Sequence, residues 1–433
     1  MRMSRIHLSA TGLRSVPAID RLPARRRSMV CAAILAASLV GVPALAQSLI
    51  QGLGDLTGGL GANAYGVSGD GAVVVGFSYY IAPGGLLKSH AFRWTQAGGM
   101  HAVFEDGLDY TSSALCISAD GLTIGGWHAL TITEEKAFIW SAANGELQLD
   151  TRSGVTALAG TGAVGAGYIV HGSGEPPRAG IWNSTGNRTF IDSPGVIVPG
   201  SDARGISADG TVVVGQAMFS PVTAGRAFRW TAATGMQNIG SPDAGGPTSH
   251  ADAITPDGSV IVGAAQATGG SGPQEAALWT AAGGWQILGS LSGTPGGTAY
   301  AVSADGQTVV GASGGHAFIW RPGRGIEDLL AVLGSPPGWT LTEARGISAD
   351  GRIIVGNGIQ AWIATLPLYG DMNCDGSVNF GDINQFVLFL SNPSQWQANY
   401  PDCPLINGDI NNDGTFPSFS DINPFVSLLS SGG

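Results

Sequence analysis

A turn signal that returns at a nearly fixed interval leaves this chain few folds to adopt. Ser68-Gly69-Asp70-Gly71 is followed by Val73-Val74-Val75-Gly76. The Asp-Gly pair comes back at Asp120-Gly121, Asp209-Gly210, Asp257-Gly258, Asp305-Gly306 and Asp350-Gly351, at intervals of 50, 89, 48, 48 and 45 residues. The interval of 89 is close to two periods and places a degenerate copy around residues 154–170. A second marker trails the first: His90-Ala91-Phe92-Arg93-Trp94, Lys136-Ala137-Phe138-Ile139-Trp140, then Arg178-Ala179-Gly180-Ile181-Trp182 in the degenerate copy. It recurs at 226–230, 275–279, 316–320 and 360–364, so two markers agree on seven copies.

Each copy carries four short strand signals. In the sixth these are Tyr300–Ser303, Thr308–Gly311, Ala317–Trp320 and Ile326–Leu329. Asp305-Gly306 reads as a tight hairpin, because Gly accepts positive φ and Asp tolerates it. The Val-Val-Val run lacks alternation, which predicts a strand buried on both faces. Four strands in a repeat of roughly 45 residues is the pattern of a propeller blade. A solenoid or a chain of sandwiches is the alternative, and seven copies favour a closed ring. The fold expected is all-β: a seven-bladed β-propeller-like repeat domain over residues 47–367. The repeated Asp residues are expected to bond their own turns, and the repeated Phe and Trp to form inter-blade core.

At His90–Phe92 and His316–Phe318 the chain resembles the HAF family of extracellular repeats, over about residues 49–366. The resemblance implies a secreted repeat protein and says little of activity. The acids that break the repeat are Glu105-Asp106, Asp109 and Glu134-Glu135 of the second copy. Paired carboxylates there would suit general acid/base work on a glycoside, although loop acids are more often simply solvated. No His-Glu-x-x-His, Gly-x-Ser-x-Gly or phosphate-cradling Gly motif occurs, and no catalytic residue is assigned.

The first 46 residues have the order of an export signal: Arg25-Arg26-Arg27, an apolar stretch from Met29 to Val42, and Ala44-Leu45-Ala46 as the cleavage site. Cleavage is expected after Ala46. The apolar stretch is too short for a bilayer anchor, and nothing later is apolar for long enough to span one. Without the signal the chain has 13 basic and 30 acidic residues, a net of −17. Such a surface repels nucleic acid. Of the three remaining cysteines, Cys374 and Cys403 are the pair expected to form a disulfide in an oxidising compartment. Cys116, in the apolar run Ala114–Ile117, is expected to be a buried unreactive thiol.

From Tyr369 the composition changes. Asp371, Asn373, Asp375, Asn379 and Asp382 stand at positions 1, 3, 5, 9 and 12 of a loop with Gly376 at 6, and Ser377 would offer a carbonyl at 7. Hard oxygen donors at this spacing, with Gly at the sharp bend, are the layout of a calcium loop. A helix should follow from Ile383 to Leu390. A second loop runs Asp409, Asn411, Asp413-Gly414, Thr415, Ser418, Asp421, one residue longer around Phe416-Pro417. Two Ca2+ sites are expected. Between Tyr369 and Gly433 there are seven Asp and no Glu, Lys or Arg, so folding of this part should depend on the metal. Its core is expected from Ile383, Phe386, Val387, Leu390, Ile422, Phe425, Val426 and Leu429.

This loop-plus-helix pair resembles a type I dockerin over residues 369–430, a small α-helical module with paired EF-hand-type loops. The resemblance implies calcium-dependent folding and a protein partner for residues 368–433. The chain departs from the family at loop positions 10 and 11, which hold Phe380-Gly381 and Phe419-Ser420, and these departures argue against a cohesin as that partner. The expected role is extracellular binding or attachment without chemistry, with an extracellular carbohydrate as a candidate ligand. The rival is a secreted carbohydrate-active enzyme, an O-glycosyl hydrolase, and its distinguishing feature would be a pocket of non-repeated carboxylates at the propeller axis.

Overall fold

The computed structural model describes residues 49–431 except 57–58, 83–84, 105–110, 130–134, 171–174, 192–199, 220–223, 242–247, 267–271, 292, 294, 402 and 412. Glu105, Asp106, Asp109, Tyr110 and Glu134 fall outside the described residues, as do residues 1–46, where an export signal is expected.

Seven four-stranded antiparallel sheets follow one another, over residues 59–102, 111–151, 153–190, 201–240, 249–289, 297–328 and 341–365. The degenerate copy supplies Ser153–Leu158 and Val164–Ile169 as its first two strands. First strands of neighbouring blades touch all the way round, and that of blade one meets that of blade seven, so the ring closes. The first strands therefore line the axis, and the fold is a seven-bladed β-propeller. The seventh sheet borrows its outer strand from the other end of the chain. Ile50–Gly52 pairs antiparallel with Trp362–Thr365, Ile50 opposite Ala364 and Gly52 opposite Trp362. Leu53 N–H extends the ladder to the Ala361 carbonyl at 3.0 Å. This exchange removes the open edge that blade seven would otherwise present.

The turn is wider than a two-residue hairpin. Ser68 N–H reaches the Val73 carbonyl, and Gly71 N–H closes a tight turn on the Ser68 carbonyl. Asp70 Oδ1 accepts from the Ser68 hydroxyl and from Ala72 N–H, while Ser68 Oγ accepts from Val73 N–H. The same three bonds recur at Ser118–Asp120, Ser207–Asp209, Ser303–Asp305 and Ser348–Asp350, and with Thr255 at Asp257. The Asp residues are thus consumed by their turns, and the Gly after each holds φ between 71° and 76°, where a Cβ is disfavoured.

The middle valines of the second strands, Val74 and Val75, are fully buried, as an unalternating run requires. Phe92, Phe138, Phe228 and Phe318 of the third strands are also fully buried, each worth roughly 1.5–3 kcal/mol. Blades are further latched through hydroxyls: Ser112, Ser153, Ser201 and Ser249 accept from the N–H of Ala91, Ala137, Ala179 and Ala227 in the preceding blade. At the closing junction Asn357 does this work, its Oδ1 accepting from Ala64 N–H at 2.8 Å.

The C-terminal module has helices at Ile383–Ser391 and Ile422–Ser431, and a further one at Pro393–Asn399 that the residue pattern did not announce. That helix changes the core. Trp396 is fully buried, stacks edge-on against Phe389 and donates its indole N–H to the Met372 carbonyl at 3.0 Å. The core is Met372, Phe386, Phe389, Trp396, Cys403 and Phe425. Ile383, Val387, Ile422 and Val426, expected inside, are instead exposed. Cys374 and Cys403 are disulfide-bonded with Cα atoms 5.7 Å apart, and Cys116 is a buried free thiol whose ionisation burial pushes far up.

Each first strand carries a β-bulge at one residue, and the strand beside it answers with glycine. A Cβ at Gly215 would lie 2.0 Å from the Asp202 carbonyl oxygen, and one at Gly311 2.0 Å from that of Thr298. Gly311→Ala should therefore cost about 1–3 kcal/mol by overpacking. Gly272→Ala, where the space is open, should stay within about 0.5 kcal/mol of the parent. Urea midpoints of the two variants check this. Deleting residues 49–56 should lower the thermal midpoint sharply.

Candidate metal and axial sites

The two Asp loops are built alike. In the first, Asp382 at the head of its helix accepts from Met372 N–H and Asn373 N–H with one oxygen and from Asn379 N–H with the other. Asp371 Oδ2 accepts from Gly376 N–H at 3.1 Å. Asn373 Oδ1 receives Asp375 N–H, and Asp375 Oδ1 receives Ser377 N–H. In the second loop Asp421 receives Asn411 N–H, Asp409 receives Asp413 N–H and Gly414 N–H, and Asp413 receives Thr415 N–H. Ser418 caps its short turn by accepting from Ser420 N–H, and the Phe416–Pro417 peptide is cis. Gly376 and Gly414 take positive φ at the sixth position of each loop, 88° and 77°.

Asp371, Asp382, Asp409 and Asp421 are buried, between 0 and 2 % exposed. No Lys, Arg or His lies between residues 369 and 433 to offset them. Burial, then the charges of Asp382 and Asp375, push the Asp371 carboxyl above its ordinary value. Burial, then Asp409 and Asp413, do the same to Asp421. Two buried oxygens have no hydrogen-bond partner, Asp371 Oδ1 in the first loop and Asp421 Oδ2 in the second. Among the described residues no three His, Cys, Asp or Glu side chains are gathered as a ready metal-ligand set. The loops mix Asp with Asn and backbone carbonyls, and their carboxylates are turned onto amides of their own loop. The donor set is hard oxygen throughout, which fits Ca2+ and not a softer metal.

The second site lies on the axis. Register shifts between Ala64 and Gly66, Ala114 and Cys116, Val155 and Ala157, Ala203 and Gly205, Ala251 and Ala253, Ala299 and Ala301, and Ala344 and Gly346 mark the seven bulges. The bulged residues are Tyr65, Leu115, Thr156, Arg204, Asp252, Tyr300 and Arg345, each three before its turn Ser, its Thr equivalent or, in blade three, Ala159. A bulge re-aims its side chain, and these seven, joined by Tyr168, Asp202, His250 and Thr298, line one cavity of ≈ 530 Å³.

Charges in the cavity are paired across blades. Arg204 donates to Asp202 and Gln216, and to Asp252 at 2.9 Å. His250 Nε2 stands 3.1 Å from Asp252 Oδ2, an ion-pair contact without the alignment of a good hydrogen bond. Arg345 donates to Glu343 at 2.7 Å and stacks 3.9 Å over the Tyr300 ring. Burial would raise the Asp252 carboxyl, but His250 and Arg204 outweigh it and hold it below the usual range. Outside this wall, Tyr168 donates to Glu135 at 3.3 Å, and burial pushes the Glu135 carboxyl up despite that bond. The residue pattern pointed to the second copy for acids. The axial residues went unnoticed, although the signal was there: one position varies freely between a preceding residue that is Ala in six of the seven copies and a following one that is Gly or Ala in six.

No family model and no curated protein matches this chain. Solved structures similar to it include TolB from Acinetobacter baumannii, at 13% identity and TM-score 0.42, covering 69% of this chain and 64% of that one, under two thirds of its length. An oligogalacturonate lyase in complex with manganese is similar at 14% identity and TM-score 0.49, over 73% of this chain and 93% of that one. The oligogalacturonate lyase of Vibrio parahaemolyticus is similar at 12% identity and TM-score 0.48, over 73% and 93%. Among the described residues no helix is long and apolar enough to cross a membrane.

Asp252 gives the axial site a pH signature. A carboxyl with a lowered folded pKa adds stability that is present above its unfolded value, about 4, and lost as pH falls through the folded value. Asp252→Asn should therefore flatten the acid limb of stability, read as urea midpoints at a series of pH values below neutrality. An acid limb equally steep in parent and variant would show that Asp252 is not held ionised.

Proposed function

We propose that this is an extracellular binding and attachment protein, an exported β-propeller carried with a module that takes up two calcium ions. The observation that carries the reading is the pair of buried, unpartnered carboxylate oxygens, Asp371 Oδ1 and Asp421 Oδ2, in a module without a single basic side chain. A buried carboxylate left unpaired is costly, and a divalent cation in each loop is the counter-charge that the composition lacks. Asp371, Asn373, Asp375, the Ser377 carbonyl, Asn379 and Asp382 would hold the first ion. Asp409, Asn411, Asp413, Thr415, Ser418 and Asp421 would hold the second. When bound, calcium neutralises the loops and links their affinity to folding.

Attachment is supported by a surface that the two halves share. Phe380, Ile383 and Val387 are 75, 38 and 57 % exposed, and the equivalent Phe419, Ile422 and Val426 are 78, 37 and 57 % exposed. Each set is an i, i+3, i+7 stripe at a loop-helix junction, the spacing of an apolar helix face. A protein partner with apolar pockets fits such a stripe. Export is supported by the order of basic run, apolar run and small-x-small site at residues 25–46.

A second reading, a secreted O-glycosyl hydrolase, has one observation in its favour. Glu135, raised by burial and lying outside the cavity wall, accepts from Tyr168, which lines the cavity that also holds the ionised Asp252. One raised and one lowered carboxyl is the division of labour that glycoside hydrolysis needs. Against it, Asp252 is engaged by Arg204 and His250 rather than left free.

Calorimetry on the chelator-stripped chain should show two calcium-binding events, one of them lost in Asp371→Asn and the other in Asp421→Asn. Saturation to 100 times Kd should stabilise the module by about 2.7 kcal/mol for each site, about 5.4 kcal/mol for the two. A module equally stable in excess chelator and in calcium, with no heat of binding, would falsify the metal reading. Release of reducing ends from a polysaccharide by the parent but not by Glu135→Gln would decide for the hydrolase.

A further inference from the structure

The axial cavity presents a set of groups whose charges are already matched. Arg204 lies between Asp202 and Asp252, and Arg345 is paired with Glu343. Three carboxylates face two guanidinium groups, so the wall offers no surplus positive charge to a phosphate, sulfate or carboxylate ligand. Nor is it a cation site. Asp202 and Asp252 are turned onto Arg204, which already supplies their counter-charge. What remains is a donor and an acceptor. Arg345 Nε is buried without a hydrogen-bond partner, and Asp252 Oδ2 meets only His250 Nε2, at 3.1 Å and outside good hydrogen-bond alignment. They belong to side chains that line the same cavity, alongside the rings of Tyr65 and Tyr300.

Groups left in this state select a ligand that both donates and accepts at neighbouring atoms and carries no charge. Vicinal hydroxyls do this: one accepts from the guanidinium, the next donates to the carboxylate, and both bonds are charge-assisted. The C–H faces of a pyranose also pack on a phenol ring. A peptide backbone is neutral too, but it would need a regular strand edge to pair with. Each inner strand is bulged at the residue that lines the cavity, which breaks the ladder there. At ≈ 530 Å³ the cavity is in the range of small-ligand sites.

We propose that the axial cavity binds a neutral saccharide, held between the Arg204–Asp252 and Arg345–Glu343 pairs and packed against a tyrosine ring. This deepens the binding reading above and rests on it. The seven bulges project five kinds of side chain, Tyr, Leu, Thr, Arg and Asp, at a position whose immediate neighbours are nearly all Ala or Gly. A ring that only had to close would gain nothing from that diversity.

The full chain, calcium-loaded, would be titrated with a panel of neutral α- and β-linked hexose and pentose oligosaccharides at up to millimolar concentrations. Oligogalacturonate and a mixed peptide library form the second and third arms, all read by calorimetry and saturation-transfer NMR. At least one neutral oligosaccharide should bind saturably. Arg345→Lys, which keeps the charge but loses the planar fork, and Tyr300→Ala should each weaken it tenfold or more. Tyr65→Leu, which removes the ring but keeps apolar bulk, keeps the test alive if either variant unfolds, and is expected to weaken binding severalfold. No binding to any neutral sugar, preference for the acidic oligomer or for peptide, or full affinity in folded Arg345→Lys and Tyr65→Leu would each overturn the proposal. Stripping calcium should leave saccharide binding intact, because the cavity lies wholly within the propeller. Shortened oligosaccharides in the cell would refute the non-catalytic reading and leave the site standing.

Discussion

The propeller depends on one contact repeated seven times: a backbone carbonyl of the inner strand pressed onto a residue that has no side chain. The bulge drops that carbonyl onto the second strand, where Gly76, Gly126, Gly167, Gly215, Gly263, Gly311 and Gly356 receive it. A Cβ at any of them would stand 1.9 to 2.1 Å from the oxygen. The glycine that ends each β-branched run is therefore not a strand terminator. It is the mate of the bulge, and the bulge is what turns one side chain per blade toward the axis. Fold and candidate ligand site share this cause. A sheet without the bulge would keep alternation and place an alanine or glycine where Arg204 or Asp252 now stands.

The turns add a second ring, made of backbone. Gly69 N–H bonds the Ala119 carbonyl of the next blade, Gly160 bonds Ala208, Ala208 bonds Pro256, Ala304 bonds Ala349, and Ala349 bonds Gly69 to close the circle. Between blades two and three the donor moves one residue on, from Asp120 to the Gly160 carbonyl. At the step from blade five to blade six the residue in the donor position is Pro256, which has no N–H to give. Each Ser–Asp clamp fixes the turn from which such a bond is launched. That accounts for a carboxylate in six copies with no chemistry of its own: it rigidifies the loop, and the loop carries the bond between blades.

Most of this architecture is legible in the residues, because a repeat averages out local ambiguity. Two markers at a steady interval set the blade number, and residues 49–56, by the likeness of Leu53–Leu56 to Leu288–Leu291, match the place left open beside 361–366, although the paired strand is Ile50–Gly52. Three things were not legible. The bulges leave no separate mark, since Ala203-Arg204-Gly205 reads like any strand until Gly215 is seen opposite. The helix at Pro393–Asn399 is short and polar apart from Trp396, so its burial follows from tertiary packing rather than from pattern. The apolar residues Ile383, Val387, Ile422 and Val426 have the spacing of a core face, yet Trp396 and Phe389 fill the interior first and leave them outside. Pattern identifies a face that wants covering; it does not say whether the cover is intramolecular.

That last point joins the two ends of the chain. The module's interior is completed without its most regular apolar stripes, while its acidic loops hold buried oxygens without partners. In a domain this small, either feature alone would weigh heavily on stability. Together they place both unmet demands on the outside: a counter-charge for Asp371 and Asp421, and a covering surface for Phe380 and Phe419. In the propeller's wall of paired Arg and Asp the carboxylates have their counter-charges, and one guanidinium nitrogen, Arg345 Nε, is left without a hydrogen-bond partner. On the proposed reading, a module that takes up ions and a partner, joined to a ring that closes by its own strands, would hold the ring in place rather than shape it. The disulfide between Cys374 and Cys403 fits this division, since it ties the first Asp loop to the segment before the second.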